Sequence, residues 1–324
     1  MPPSPAPPST TTSPPKDNPP PSSPQQTDTT TATLPTRLRT LFTIPAPIRT
    51  LFDLVPLTTY PPNPLPTRSP TPSPLPTLHI FTSPSSPPTD PSPNPTCLKH
   101  QTVLRLASLP HTTTSSTNHA SPTGALPFLL PPTSSPLLPA ALLPIGAGQI
   151  LSYAAKQGHP LPARPSHPKA KVYASLLDDA IRPAFLHAVY LTPANASLPT
   201  LLYLRPATSS WLVQTYQRIT LQRAAREQLS IAAPGGVVDI DDIYARAAAA
   251  FEALAGALEG EEWVLGGEGG EVTMLDAEVF AYTHLVLEEG MGWGDGRLGR
   301  EVRRWRALVE HRERVLKRCW GGGE

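Results

Sequence analysis

The sequence predicts an α/β domain followed by an all-helical domain, behind a disordered N-terminal tail. Three observations carry this prediction. Most of the 46 prolines fall before about residue 170, strand and helix patterns alternate between about residues 75 and 130, and apolar residues recur at helical spacing beyond about residue 170. The 324 residues leave room for two ordinary domains. We therefore predict a tail at 1–35, an α/β domain at 36–165 and a helical domain at 166–324.

The tail is predicted from composition. Residues 1–35 are almost wholly Pro, Ser and Thr, and such a segment cannot bury enough apolar surface to offset the entropy lost on ordering. The next stretch, Arg37 to Tyr60, has apolar residues spaced like short amphipathic turns. Because Pro45 and Pro47 interrupt it, we interpret it as a lead-in that packs on the domain rather than as a mitochondrial presequence.

Charge and cysteine content restrict the function classes. The net charge of +1 gives no global drive toward nucleic acid or an anionic bilayer. Two cysteines, Cys97 and Cys319, are too few for a disulfide framework, and no secretory signal pattern is present. The most apolar stretch, Gly124 to Gly148, is broken by prolines, so we predict no membrane-spanning helix and only a peripheral membrane role.

The α/β prediction begins with a strand at Leu75 to Thr82, which ends in a loop of Ser, Pro and Asp. A helix is predicted from Asn94 and Pro95 to Leu109, with a buried apolar stripe. The stripe consists of Leu98, Val103, Leu104, Leu106 and Leu109. Strand, loop and helix together are typical of the opening of a βαβ unit.

A turn rich in small residues then leads into a second apolar strand, within Asn118 to Leu130. Leu126 precedes Pro127 at the entry of that strand. Thioredoxin-like folds place a cis proline there, because the turn reverses the chain against the first helix. The order of elements therefore predicts a thioredoxin-like domain with a cis peptide bond before Pro127.

The helical domain is predicted from apolar stripes and from capping residues. One stripe contains Leu177, Ile181, Ala184, Phe185 and Ala188, with Pro183 as a predicted kink, and another contains Ile243, Ala247, Phe251, Leu254 and Leu258. Asp239 is a natural N-cap for the second stripe. Thr273 and Asp276 form a variant of the capping box at the start of a strongly apolar helix.

Candidate catalytic and ligand sites are few. Gly294, Gly296 and Gly299 match a dinucleotide fingerprint in spacing but follow a predicted helix, so we interpret them as a loop. Asp239, Asp241 and Asp242 have no nearby His or Cys and suit a helix start, and the histidines lack zinc-helix spacing. We therefore predict no metal and no cofactor.

Cys97 is the one plausible nucleophile, because a thiol at a helix N-terminus is acidified by the amides and the helix dipole. No second cysteine stands three residues away, which excludes dithiol exchange. We favour a packed small side chain over a reactive thiol and keep both readings.

At these residues the chain resembles the metaxin family. The resemblance is carried by FDLVPLTTYPPNPLPTRSP (Phe52 to Pro70), LHIFT, NPTCLKHQTVLRLASL (Asn94 to Leu109) and NHASPTGALPFLLP (Asn118 to Pro131). It covers about residues 50 to 131, and within the family it is strongest to the fungal receptor-type subunit of the sorting and assembly machinery. The family-motif positions are Cys97, Asn118, His119, Ser121, Pro122, Gly124 and Pro127.

The resemblance implies a glutathione-transferase-like architecture on the cytosolic face of the mitochondrial outer membrane. Its implied role is a peripheral adaptor that assists the insertion of β-barrel precursors and is not an enzyme. The implied partners are the β-barrel core subunit, a second metaxin-like subunit and the precursors, with membrane contact made through a partner and no nucleic acid bound.

Glutathione transferases follow the cis-proline strand with a second strand and then a Glu or Gln plus a Ser that hold the γ-glutamyl end. The corresponding stretch here, Leu142 to Ala147, has no such pair. A polar ligand would leave its charged ends unpaired there, at a cost of a few kcal/mol. The alternative function is a glutathione transferase or thiol transferase that uses Cys97.

Overall fold

The computed structural model describes residues 73–83, 87–132, 143–163, 167–233, 236–265 and 271–321. These residues belong to one compact unit, Leu65–Glu324. The predicted tail at 1–35, the lead-in from Arg37 to Tyr60 and Leu142 lie outside the described residues.

The first half is built on a four-stranded sheet in the order β2-β1-β3-β4. The strands are β1 (Thr77–Ile80), β2 (Thr112–Ser115), β3 (Phe128–Leu130) and β4 (Ile145–Gly146). β1 runs parallel to β2 and antiparallel to β3, and β3 is antiparallel to β4. Because parallel neighbours need a crossover connection, the helix between β1 and β2 follows from the topology. The arrangement confirms the predicted thioredoxin-like α/β domain.

The crossover helix, α1 (Pro95–Leu106), begins where the sequence predicts it. The Oδ1 atom of Asn94 accepts hydrogen bonds from the backbone amides of Thr96 and Cys97, both at 3.1 Å. The helix ends three residues before the predicted Leu109, because Ser108 adopts a positive φ of 51°. Leu109 is nevertheless buried in the α/β core.

A helical half follows the sheet. Helix α2 (Ala147–Lys156) follows β4 and packs in the α/β core. The helices of the helical half are α3 (Ala170–Leu176), α4 (Arg182–Leu186), α5 (Trp211–Ala232), α6 (Ile240–Gly256), α7 (Met274–Leu287), α8 (Arg297–Arg303) and α9 (Arg306–Trp320). A π-helical turn, Leu177–Ile181, joins α3 to α4. The π turn ends two residues before Pro183, the position at which the sequence predicts a kink.

The predicted apolar stripes form the core of the helical half. All ten residues of the two stripes are buried in one cluster. Asp239 caps α6 by accepting from the amides of Asp241 and Asp242, as predicted. The capping box of Thr273 and Asp276 is also present at the start of α7, whose residues are almost all buried. The prediction of an all-helical second domain is confirmed.

The two halves pack through α1 and α7. Val103 of α1 forms a small buried cluster with Met274 and Ala277 of α7. The Nζ atom of Lys99 lies 2.6 Å from Oε1 of Glu278. Within the described ranges, no helix is both long enough and apolar enough to cross a bilayer.

Candidate functional site

The candidate site lies where the end of β1 meets the start of β3. His79 and Phe128 are register partners in this antiparallel pair. The loop that leaves β1 and the turn that enters β3 therefore lie at the same end of these two strands, and this end of the sheet is called the site edge below. This edge brings together the N-terminus of α1, Cys97 and the predicted cis proline.

The loop that leaves β1 is closed by its own hydrogen bonds. Ser92 is fully buried, its Oγ donates to the carbonyl of Phe81 at 2.6 Å, and its amide donates to Oε1 of Gln101 at 3.0 Å. From the helical half, the hydroxyl of Tyr203 donates to the carbonyl of Pro93 at 2.9 Å. The polar groups beside the start of α1 are thus paired with one another.

Cys97 is fully buried within the α/β core. Burial raises the pKa of its thiol to about 12, against the opposite and smaller effects of hydrogen bonds to Phe81 and Ser92. At this position the loss of solvation opposes the acidifying effect of the helix N-terminus. In this structure Cys97 is packed as a small, fully buried side chain.

The turn that enters β3 contains the remaining family-motif residues. The Leu126–Pro127 peptide bond is cis, as predicted. The Oδ1 atom of Asn118 accepts from the amide of Leu126 at 3.0 Å, and the Ser121 hydroxyl lies 3.0 Å from that of Thr123. Gly124 has a φ of +74°, a conformation that favours glycine.

These contacts assign a structural role to most of the motif. Asn118, Ser121 and Gly124 hold the shape of the turn, and Pro127 is buried beneath it. His119 and Pro122 are exposed on its outer side. The amide of Leu126 is already bonded to Asn118, so it is not open to a ligand in this conformation.

The position after β4 decides whether a γ-glutamyl group has a partner. β4 ends at Gly146 and α2 starts at Ala147, so Ala147 and Gly148 follow the strand directly. The first polar side chain is that of Gln149, and the next residue is the buried Ile150 rather than a serine. A side chain at Gly146 would also meet Thr123, whose Cγ2 would lie 3.1 Å from the added Cβ. Among the described residues that directly follow β4, no Glu or Gln is followed by a Ser.

His79 is a residue of this edge to which the sequence analysis gave no role. Its ring stacks on Phe128 with a centroid distance of 4.3 Å, and its Nε2 atom is buried without a hydrogen-bond partner. Burial lowers the pKa of His79. Because side chains alternate along β1, His79 lies on the face of the sheet opposite to Leu78 and Ile80. This alternation is the sequence signal that could have identified His79.

Other predicted candidates lie away from this edge. Gly294 and Gly296 are in a loop, as predicted, but Gly299 lies within α8. A Cβ at Gly299 would fall 2.5 Å from the carbonyl oxygen of Val286, so the glycine permits close packing of α8 on α7. The loop interpretation is thus wrong for Gly299. In the described part of the chain, no group of His, Cys, Asp and Glu is arranged to hold a metal ion.

Two family models match this chain. One describes a glutathione S-transferase N-terminal domain and matches residues 95–195, and the other describes a glutathione S-transferase C-terminal domain and matches residues 247–315. The chain belongs to the glutathione-transferase-like superfamily. This membership agrees with the order of the sheet, the cis proline and the helical half of the molecule.

The likeness of this glutathione-transferase-like chain to solved structures is one of fold only. A glutathione S-transferase from Xanthobacter autotrophicus has 20% identity and a TM-score of 0.38, over 74% of this chain and 92% of that one. A glutathione S-transferase of Ceriporiopsis subvermispora in complex with glutathione has 16% identity and a TM-score of 0.42, over 72% and 97%. FzlA from C. crescentus has 16% identity and a TM-score of 0.40, over 76% and 94%. No curated protein matches.

Proposed function

We propose that this glutathione-transferase-like chain is a peripheral adaptor or receptor subunit of the mitochondrial outer-membrane sorting and assembly machinery. Its role there is to assist the recognition and membrane insertion of β-barrel precursors. Its partners are the β-barrel core subunit, a second metaxin-like subunit and the precursors. The proposal rests on the metaxin resemblance of about residues 50 to 131.

The observation that supports binding rather than catalysis is the closed edge beside α1. The Cys97 thiol is fully buried, and burial raises its pKa to about 12, so almost none is thiolate at neutral pH. The amide of Leu126 is taken up by Asn118, and no Glu or Gln plus Ser pair follows β4. A reaction that uses the Cys97 thiol would lack an activated nucleophile, and the contacts expected for bound glutathione are missing from the described residues, so we propose that the chain is not an enzyme.

The sheet offers one way to bind a precursor strand. Within the described residues, β2 pairs only with β1, and most of its residues are exposed. An extended segment of a precursor can pair with such an outer strand through main-chain hydrogen bonds. The side chains of β2 are Thr and Ser, so they are neither bulky and apolar nor charged.

The test is purification from mitochondria in mild detergent, followed by an assembly assay. We expect the chain to co-purify with the β-barrel core subunit, and mitochondria depleted of the chain to assemble imported β-barrel precursors more slowly. Matrix-targeted precursors serve as the control and should be imported at the normal rate. Depletion that leaves β-barrel assembly unchanged would count against the adaptor role.

A glutathione transferase or thiol transferase remains the second candidate, because both family models are described by glutathione S-transferase domains. The purified chain should conjugate glutathione to an electrophilic test substrate no faster than the uncatalysed reaction. Robust conjugation that is lost in Cys97→Ser would favour the enzyme and would refute the proposal that Cys97 is not a nucleophile.

A further inference from the structure

The C-terminal end of α9 reaches the α/β half of the molecule and contacts the loop that leaves β1. Trp320 is the last residue of α9, and its Nε1 atom donates to the carbonyl of Thr89 at 3.0 Å. Nη2 of Arg105 on α1 donates to the same carbonyl at 2.8 Å, and Nη1 of Arg105 donates to the carbonyl of Cys319 at 2.7 Å. The Arg105 guanidinium also lies over the Trp320 ring, 4.7 Å from its centroid. Arg105 therefore joins this loop to the last turn of α9.

The part of the loop that these contacts hold is Pro87 to Pro93, which is called the clasped segment below. It contains no helix or strand. In the described part of the chain, no backbone–backbone hydrogen bond joins it to another segment. Its first three residues are exposed, so burial contributes little to holding them. The position of the clasped segment therefore depends mainly on hydrogen bonds that involve side chains.

The α/β half supplies one set of these hydrogen bonds. Gln101 accepts from the amide of Ser92 at 3.0 Å and donates to the carbonyl of Asp90 at 2.9 Å. The Ser92 hydroxyl donates to the carbonyl of Phe81, and the Thr113 hydroxyl donates to another carbonyl of the segment at 2.6 Å. These bonds come from α1 and from the strands that flank it in the chain.

Among the described residues, two side chains of the helical half also bond to the clasped segment. One is Tyr203, which is buried in the helical core and donates to the carbonyl of Pro93. The other is Trp320, which is only partly buried and ends its helix. After Trp320, the amide of Gly321 donates to the carbonyl of Lys317 at 2.9 Å. The last turn of a helix frays at a low cost in free energy, so the Trp320 contact is the one that opens most easily.

We infer that the last turn of α9 is a latch, which holds the clasped segment against α1 and whose release opens this loop at the site edge while both halves stay folded. Fraying of this turn breaks the bond between Trp320 and Thr89, and it removes the Trp320 ring from Arg105. The exposed part of the clasped segment is then held only by side chains of the α/β half. Because Trp320 is already partly exposed, this opening costs far less than the unfolding of either half. The latch couples the end of α9 to the loop that leads into α1.

A fixed structural contact between the halves predicts a different behaviour. Gln101 is fully buried, and alone it would then hold the clasped segment until the halves unfold. The two possibilities differ in how fast the Ser92 amide exchanges with solvent, and in how that rate depends on urea. The inference goes beyond the proposed function and does not depend on it.

The test is native-state hydrogen exchange of the full chain, followed by NMR at low urea concentrations. The Ser92 amide reports on the clasped segment, because its partner is Gln101, and the amide of the fully buried Leu104 reports on unfolding of the α/β core. In the wild type, Ser92 should exchange faster than Leu104 and with little dependence on urea, because local opening exposes little surface. Trp320→Ala should raise the exchange rate of Ser92 about tenfold.

Two further variants separate the latch from a general loss of stability. Trp320→Phe keeps an aromatic ring beside Arg105 but removes the donor to Thr89, so it should raise the rate by a smaller factor. The matched control is Arg314→Ala, because Nη2 of Arg314, earlier on α9, donates to the carbonyl of Glu262 within the helical half at 2.9 Å. Arg314→Ala should leave the exchange rate of Ser92 unchanged.

Three results would overturn the inference. Equal exchange of Ser92 and Leu104 in the wild type would show that the clasped segment opens only when the core unfolds. An unchanged Ser92 rate in Trp320→Ala would show that the α/β half holds the segment without α9. An equal acceleration in Arg314→Ala and Trp320→Ala would show a general loss of stability instead of a latch.

Discussion

The carboxylate of Asp276 links three segments of the helical half. It is fully buried, and its two oxygens accept hydrogen bonds from the amides of Val264 and Thr273 at 2.8 and 2.7 Å. The Thr273 hydroxyl donates to it at 2.8 Å, and Nε2 of the fully buried His311 lies 2.9 Å away. Sequence spacing predicts the contact with Thr273, whereas the contacts with Val264 and His311 arise only from tertiary packing.

Replacement of this carboxylate should destabilise the fold strongly. In Asp276→Ala, the amides of Val264 and Thr273 and the ring of His311 lose their buried acceptor, at a cost of about 3–5 kcal/mol in unfolding free energy. Asp239→Ala removes an exposed N-cap aspartate and should cost only about 1 kcal/mol. Urea unfolding measures both. Similar losses in the two variants would show that the buried network adds nothing to simple capping.

His284 makes the stability depend on pH. Burial, and then the nearby charge of Arg312, lower the pKa of His284 from 6.5 to about 4, against the opposing effect of Glu288. The unfolded chain therefore takes up this proton first as the pH falls. The stabilising effect is complete above about pH 6.5 and is lost between pH 6.5 and 4, by about 3 kcal/mol in all.

The expected result is that His284→Gln has a flatter dependence of unfolding free energy on pH between 6.5 and 4. Other buried histidines, such as His100 and His311, are present in both proteins and cancel in the comparison. His167→Gln changes an exposed histidine and should leave the wild-type slope unchanged. Equal slopes for His284→Gln and the wild type would contradict this account.

The helices that sequence predicts well are those that combine buried apolar residues with capping residues. α1 and α6 show apolar stripes, α7 is apolar on nearly all sides, and all three are capped and form. β2 escapes prediction because Thr112–Ser115 is polar and lies at the sheet edge, where pairing with β1 replaces burial. α5 escapes because most of its apolar residues lie on an exposed side, and only Ala225 and Leu229 are buried.

Gly299→Ala tests the packing of α8 on α7, and Gly256→Ala is its control. Gly299→Ala would place a Cβ 2.5 Å from the backbone oxygen of Val286, so the helices must separate. We expect a loss of about 1–3 kcal/mol. Gly256→Ala, at the end of α6, meets nothing within 4 Å and should stabilise by up to about 1 kcal/mol. In thermal unfolding, the melting temperature should fall for Gly299→Ala and rise for Gly256→Ala. A stabilised Gly299→Ala would disprove the close approach of α8 to α7.

The two halves of the molecule share core residues. Leu98 belongs to α1 of the α/β domain, yet it is fully buried in the core cluster of the helical half. Val103 packs on α7, and Nη1 of Arg105 donates to the carbonyl of Cys319 at 2.7 Å. The sequence predicts each of these residues on α1, but an apolar stripe alone does not show whether the α/β core or the helical core buries it. Separation of the halves would expose apolar surface on both.

We therefore expect the two halves to unfold in one transition, and the chain carries separate reporters for them. All five tryptophans lie at or after Trp211, in the helical half, so their fluorescence follows mainly that half, although Trp320 also contacts Thr89 and Arg105 of the α/β half. In Cys319→Ser, the remaining thiol, Cys97, is buried in the α/β core and reacts with a thiol reagent only when that core opens. Because breaking either half uncovers the shared cluster around Leu98, both signals should change at the same urea concentration. Cys97→Ser, which leaves Cys319 as the reporter, controls for the chemistry. Reaction of Cys97 at a distinctly lower urea concentration than the fluorescence change would mean that the α/β half opens independently.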